Sequence, residues 1–177
     1  MGFFRDILRK SQGLPTDSEI SQGVSALRIQ IAKLMLCADG LDAVNNYSSD
    51  INLGFALRVD LLSFSLHIAA SDGVLEESEV AAINCFLGIN MPYDECKRAI
   101  EGLGIDTLTH RIPLSFQMLT EEARSVDLNP RKYADMMIAT FQALGQIIAM
   151  VDGEIAESER QDLNHYINKL KEFANTL

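Results

Sequence analysis

Residues 68 to 84 read I-A-A-S-D-G-V-L-E-E-S-E-V-A-A-I-N, and residues 148 to 164 read I-A-M-V-D-G-E-I-A-E-S-E-R-Q-D-L-N. The two stretches align without a gap, with Asp72 opposite Asp152. In each copy an apolar helical segment is followed by Asp-Gly, and the next helical segment begins with Glu-Ser-Glu. Glycine directly after the last apolar residue is a typical helix stop signal. The repeat therefore predicts two helix–turn–helix halves that pack against each other with pseudo-twofold symmetry.

The rest of the chain continues this helical pattern. Apolar residues recur at spacings of three and four, and no segment alternates as a strand would. We predict an all-α, single-domain bundle of seven to eight helices over residues 16–177, preceded by a short amphipathic helix and linker in residues 1–15. The first long helix is expected to end near Asp39 and Gly40, and Ser49 or Asp50 is expected to cap the second.

Composition excludes several classes of function. The chain has 177 residues, 15 Lys and Arg against 25 Asp and Glu, and a formal net charge of −10. This charge disfavours nucleic acid and anionic membranes, because phosphate binding depends on clustered basic residues. It is compatible with cations or with a basic protein partner. No apolar stretch is long enough to cross a membrane.

The cysteines and the missing catalytic motifs point to a cytoplasmic protein that is not an enzyme. The three cysteines are odd in number and lack C-x-x-C spacing, so we expect reduced thiols. The sequence has no phosphate-binding G-x-x-x-x-G-K, no G-x-S-x-G and no H-E-x-x-H. His67, His110 and His165 show no ligand spacing among themselves, and no Glu-x-x-His is present for a carboxylate-bridged metal centre.

The acids of the repeat suggest a cation site. If Asp72 stands at position 5 of a calcium-binding EF-hand loop, Glu79 falls at position 12, and Asp152 and Glu159 match them in the second copy. The first half of the loop fails, because Ile68 stands where the first carboxylate belongs. Two facing half-loops could still offer oxygen ligands to one Ca²⁺ or Mg²⁺.

A structural interpretation of the same acids stays open beside the cation site. Aspartate often organises a turn backbone through its own side chain. Glu79 and Glu159 could close a capping box at the start of the next helix, with Glu76 and Ala156 as the cap residues.

With its duplicated A-x-D-G and E-S-E, the repeat resembles the TerB-like family of tellurite-resistance proteins and the N-terminal domain of some membrane-anchored DnaJ-type co-chaperones. The resemblance is strongest over residues 50–175. It implies an all-helical fold of two pseudo-symmetric halves and a stress-related role in bacteria. It also implies a divalent-metal site at acids in and after the two turns, which in this sequence are Asp72, Glu76, Glu79, Asp152 and Glu159.

Two functions follow as expectations. The first is a non-enzymatic, stress-related module that binds a divalent cation at the paired turns and signals through protein contacts. The alternative is a protein-interaction or scaffold domain in which the acidic turns are only structural. The apolar residues within 3–8 could pack on the domain, form a homodimer or partner contact, or touch a membrane surface weakly.

Overall fold

The computed structural model describes residues 17–45, 52–103, 111–151 and 157–177. Over these ranges the chain forms seven α-helices and no strand, which confirms the all-α prediction. The helices are α1 (Asp17–Asn45), α2 (Leu53–Ala69), α3 (Glu77–Leu87), α4 (Tyr93–Leu103), α5 (Leu114–Ser125), α6 (Pro130–Ile148) and α7 (Glu157–Ala174).

Helix α2 lies at the centre of the bundle. It packs against each of the other six helices, and most of its residues are buried. Its sequence explains this position, because apolar side chains cover most of the helix surface and a helix of that kind is typically buried. The central place of α2 matters for function because Ser63, Ser65 and His67 are buried inside the bundle and Asp60 is half-buried.

Three aromatic rings join α2, α6 and α7. The Phe64 ring lies 5.0 Å from Phe141 in an edge-to-face contact and 4.8 Å from Tyr166. Gly145 lets α6 approach this cluster closely, because a Cβ there would lie 2.5 Å from Leu163 Cδ1. The absence of a side chain at Gly145 therefore sets the spacing between α6 and α7.

Helix α1 corrects one prediction. It does not end at Asp39 and Gly40 but continues to Asn45. Ala38 and Leu41 are buried on either side of the glycine, so the apolar stripe of the helix runs on. Burial of these residues outweighs the cost of about 1 kcal/mol for a glycine inside a helix.

The N-terminus of α2 differs from its prediction as well. Its cap is Asn52, whose Oδ1 accepts the Phe55 N–H at 2.7 Å. Asp42 of α1 adds two acceptors, since Oδ1 accepts the Leu53 N–H at 3.0 Å and Oδ2 accepts the Gly54 N–H at 3.2 Å. The end of α1 thus serves as a cap for the start of α2.

Other boundaries agree closely with expectation. Gly73 has φ of 92°, the left-handed conformation expected in the turn between the two helices of the first copy. Pro130 is the first residue of α6, and Pro113 is the cap residue of α5, one position from its predicted place. The predicted helix within residues 1–15 and the second Asp-Gly turn at 152–153 lie outside the described residues.

No helix in the described ranges has the length and apolar character needed to cross a membrane. This finding agrees with the expectation of no transmembrane segment.

Candidate functional site

The first Asp-Gly turn is held by its own aspartate. Asp72 Oδ1 accepts the Val74 N–H at 2.8 Å, while the Asp72 side chain remains exposed. This hydrogen bond is the local side-chain-to-backbone contact that aspartate commonly makes in turns. Combined with the left-handed Gly73, it reverses the chain between α2 and α3.

The next acids of the first copy form a capping box at the start of α3. Glu79 Oε2 accepts the Glu76 N–H at 2.8 Å. The Ser78 hydroxyl donates to Glu76 Oε2 at 3.2 Å. Glu79 is only 4% exposed, although it is a charged residue. The first copy therefore contains the capping box that the structural interpretation of these acids predicts.

In the second copy residues 148–151 and 157–164 are described, so Asp152 lies outside the described residues. Glu159 is 4% exposed, the same value as its counterpart Glu79. Glu157 is exposed and receives hydrogen bonds from Gln161, at 3.0 Å, and from Arg160. Those two bonds lower the pKa of Glu157.

Four of the five predicted cation ligands, Asp72, Glu76, Glu79 and Glu159, lie among the described residues. Within the described ranges no group of three or more His, Cys, Asp or Glu side chains is arranged to hold a metal ion. The Asp72 and Glu79 carboxylates each accept a backbone N–H, which occupies part of their capacity as ligands. Whether Asp152 completes a site stays a prediction.

A cavity that sequence reasoning did not find opens beside α2. Its volume is about 460 Å³, within the range of small-molecule sites. Residues of α2, α5 and α7 and of the segment leading into α5 form its walls. The lining residues are Asp60, Ser63, Phe64, His67, Arg111, Ile112, Pro113, Leu114, Gln117 and Tyr166.

Three buried or half-buried titratable groups face this cavity. Asp60 Oδ2 accepts the Ser115 N–H at 2.7 Å, and burial raises the pKa of Asp60 in spite of the hydrogen bonding. Burial, and then the nearby Asp60 charge, raise the pKa of Tyr166. His67 is 4% exposed, and its Nε2 lies 3.6 Å from Asp162 Oδ2.

A signal for this cavity was present in the sequence. Asp60, Ser63 and His67 follow one another at spacings of three and four, so they form a polar stripe on an otherwise apolar helix. The spacing among the three histidines does not reveal this stripe, because only His67 belongs to it. The other walls come from residues 111–117 and from Tyr166, and their approach to α2 depends on the tertiary fold.

A shallow apolar groove of about 150 Å³ lies on another face of the bundle, between α1, α2 and the end of α3. It has one charged residue, Arg58, among apolar side chains. The lining residues are Ile31, Met35, Arg58, Val59, Leu61, Leu62, Leu87 and Ile89. Phe55, one turn before Val59 on α2, is also exposed and extends the apolar surface.

The chain was compared with known proteins in three ways. A scan against protein-family models, a search of curated proteins and a search of solved structures each found no match. The similarity to the TerB-like family thus rests on the residues of the repeat.

Proposed function

We propose that this chain is a non-enzymatic protein-interaction module of TerB-like architecture, and that it binds an acidic amphipathic helix of a partner protein. The apolar groove between α1 and α2 carries this proposal. Under this proposal the acidic turns have only a structural role, which is the alternative interpretation of the repeat.

Burial supports the pseudo-symmetric architecture. Four pairs of residues at equivalent positions of the two copies are buried alike, as expected when two halves pack around one core in the same way, whereas Val80 is buried and its counterpart Arg160 is exposed. The buried pairs are Ile68 and Ile148, Ala69 and Ala149, Glu79 and Glu159, and Ile83 and Leu163.

The apolar surface supports a protein partner. Val59 is 44% exposed and Ile89 lies at the groove edge, so large apolar side chains face water over a continuous region. Contiguous apolar surface on a folded protein commonly marks a binding site. A groove between helices suits a partner helix with apolar residues at i, i+3, i+4 and i+7.

Local charge selects an acidic partner helix. Arg58 lines the groove, and Arg28 lies one turn before Ile31 on the same face of α1. The net charge of −10 belongs to the whole chain, but charges further than about 8 Å are screened at physiological salt. Arg58 lines the groove itself and so favours an acidic group on the partner helix there, whereas Asp39 and Asp42 lie beside Gly54, next to the exposed Phe55. This expectation differs from the basic partner expected from composition.

A pair of synthetic peptides tests the proposal. Both carry the same leucine face, and the polar face is acidic in one peptide and basic in the other. We expect the acidic peptide to bind more tightly and to shift NMR signals of α1 and α2. Val59→Asp should weaken binding at least tenfold. Leu128→Asp is the matched control, since Leu128 is equally exposed, at 44%, and does not line the groove.

The outcomes separate the possible occupants. Tighter binding of the basic peptide, or equal loss in both variants, would refute the proposal. A concentration-dependent dimer that Val59→Asp dissociates would assign the groove to a second copy. Binding that appears only after residues 1–10 are removed would assign it to the apolar N-terminal segment.

Calorimetry tests the role of the acidic turns. The chelator-treated protein is titrated with Ca²⁺, Mg²⁺ and Mn²⁺ beside the Asp72→Asn, Asp152→Asn double variant. We expect no binding heat for either protein. Micromolar binding that the double variant loses would favour the cation-binding module instead.

The TerB-like resemblance adds the expectation of a stress-related, tellurite-resistance-like role in a bacterial cytoplasm. That expectation concerns the pathway, and it is independent of which partner occupies the groove.

A further inference from the structure

The cavity beside α2 combines a carboxylate with an apolar, aromatic wall. Asp60 and His67 lie on the α2 side, and Phe64 and Tyr166 have ring centroids 4.8 Å apart. The exposed Leu114 and the buried Pro113 also line the cavity. A volume of about 460 Å³ is sufficient for a small organic molecule.

Asp60 has little compensation for its charge. Its Oδ2 accepts the Ser115 N–H at the start of α5, which is a favourable position for a carboxylate because a helix N-terminus is electropositive. Among the described residues, however, Asp60 forms no ion pair with a lysine, arginine or histidine. A half-buried carboxylate of this kind gains more than an exposed one from a cation that enters beside it.

The rings favour an organic cation over a hydrated metal ion. Aromatic faces attract ammonium groups, and the apolar wall of Phe64 and Leu114 can cover a hydrocarbon body. A divalent metal would need several oxygen ligands, and no group of three acidic, histidine or cysteine side chains is gathered in the described part of the chain.

We propose that this cavity binds a small organic ammonium compound with an aromatic or branched apolar body, and that Asp60 is the counter-ion of the ammonium group. The site is separate from the groove between α1 and α2, so its function does not depend on the proposed protein partner. Arg111, which is exposed at the mouth, offers a contact for a carboxylate on the same ligand.

Isothermal titration at pH 7.5 with four probes tests the proposal. Phenethylammonium and phenylalanine carry the ammonium group, 2-phenylethanol is a neutral analogue, and phenylacetate is an anionic one. We expect saturable binding of at least one ammonium probe, and at least tenfold weaker binding of the alcohol and of phenylacetate.

Variants connect the binding to the cavity. Asp60→Asn keeps an oxygen that can accept the Ser115 N–H. This variant should weaken binding of the ammonium probe at least tenfold. Glu121→Gln removes the same charge from an exposed position on α5 and should change nothing. Leu114→Lys places a positive charge at an exposed wall position, so it tests the site even if Asp60→Asn fails to fold.

The two ammonium probes distinguish the source of the ligand. Tighter binding of phenylalanine, lost in Arg111→Gln, would identify amino acids, whereas tighter binding of phenethylammonium would identify simple amines. Absence of saturable binding up to about 10 mM, equal binding of the alcohol, or an ammonium affinity that neither Asp60→Asn nor Leu114→Lys reduces would overturn the proposal.

Discussion

Two Asp-Gly dipeptides with different conformations provide the sharpest test of the fold. Gly40 lies inside α1, is exposed, and has nothing within 4 Å of the position that a Cβ would take. Gly73 has equal space around it but adopts φ of 92° in the turn after α2. Alanine should therefore have opposite effects on stability at the two positions.

The magnitudes follow from the backbone conformations. Alanine at position 40 should stabilise the protein by about 0.5–1 kcal/mol, because alanine restricts the unfolded chain and favours a helix. Alanine at position 73 should destabilise it by about 1 kcal/mol, since the left-handed conformation costs an L-residue about 1–2 kcal/mol and unfolded-state entropy offsets part of this. For a chain of this size, 1 kcal/mol corresponds to a Tm shift of about 2–4 °C.

Thermal and urea unfolding of Gly40→Ala, Gly73→Ala and the parent protein measure the difference. We expect the Tm to rise for Gly40→Ala and to fall for Gly73→Ala. If Gly40→Ala lowers the Tm as much as Gly73→Ala does, then α1 ends at Gly40 and the continuous helix to Asn45 is wrong. Equal stabilisation in both variants would instead refute the strained conformation of Gly73.

Three further predictions concern packing, capping and charge. Gly145→Ala should cost about 1–3 kcal/mol in urea unfolding, because its Cβ would lie 2.5 Å from Leu163 Cδ1; a neutral result would show that α7 moves aside. Asp42→Ala should cost about 0.5–2 kcal/mol through loss of the acceptors for two α2 N–H groups, and an unchanged urea midpoint would contradict this. Burial raises the pKa of Asp60 above its ordinary value, so the Asp60 carboxyl holds its proton more tightly in the folded chain than in the unfolded chain. The free energy of unfolding of the parent protein therefore decreases as pH rises through the folded pKa of Asp60. Asp60→Asn should therefore gain stability relative to the parent as pH increases from about 4 to 7, and a difference that is constant with pH would refute the burial of this charge.

The proposed amine site and the stability of Asp60→Asn are linked. A residue retained for binding commonly lowers the stability of the fold that carries it. We therefore expect one substitution to weaken ammonium binding and to raise stability at neutral pH. This combination is not expected of a residue that serves only the fold.

The acids of the repeat show how far a motif can be interpreted from sequence. Two roles were open for Glu79, and the capping box with Glu76 is the one that the structure contains in the first copy. The sequence could not distinguish between them, because a carboxylate at the third position of a helix suits both a backbone N–H and a cation. The choice depends on whether other ligands approach, and that depends on the packing of distant segments.

Local sequence patterns were sufficient to predict the class of the fold and several helix boundaries. Helical periodicity, the left-handed Gly73 and the proline at position 130 act within a few residues, so their effects do not depend on the rest of the chain. The tertiary structure alone decided that α1 continues through Gly40, because the burial of Ala38 and Leu41 outweighs the local stop signal. It also decided where the cavity lies, since a polar stripe on α2 becomes a site only when α5 and α7 close around it.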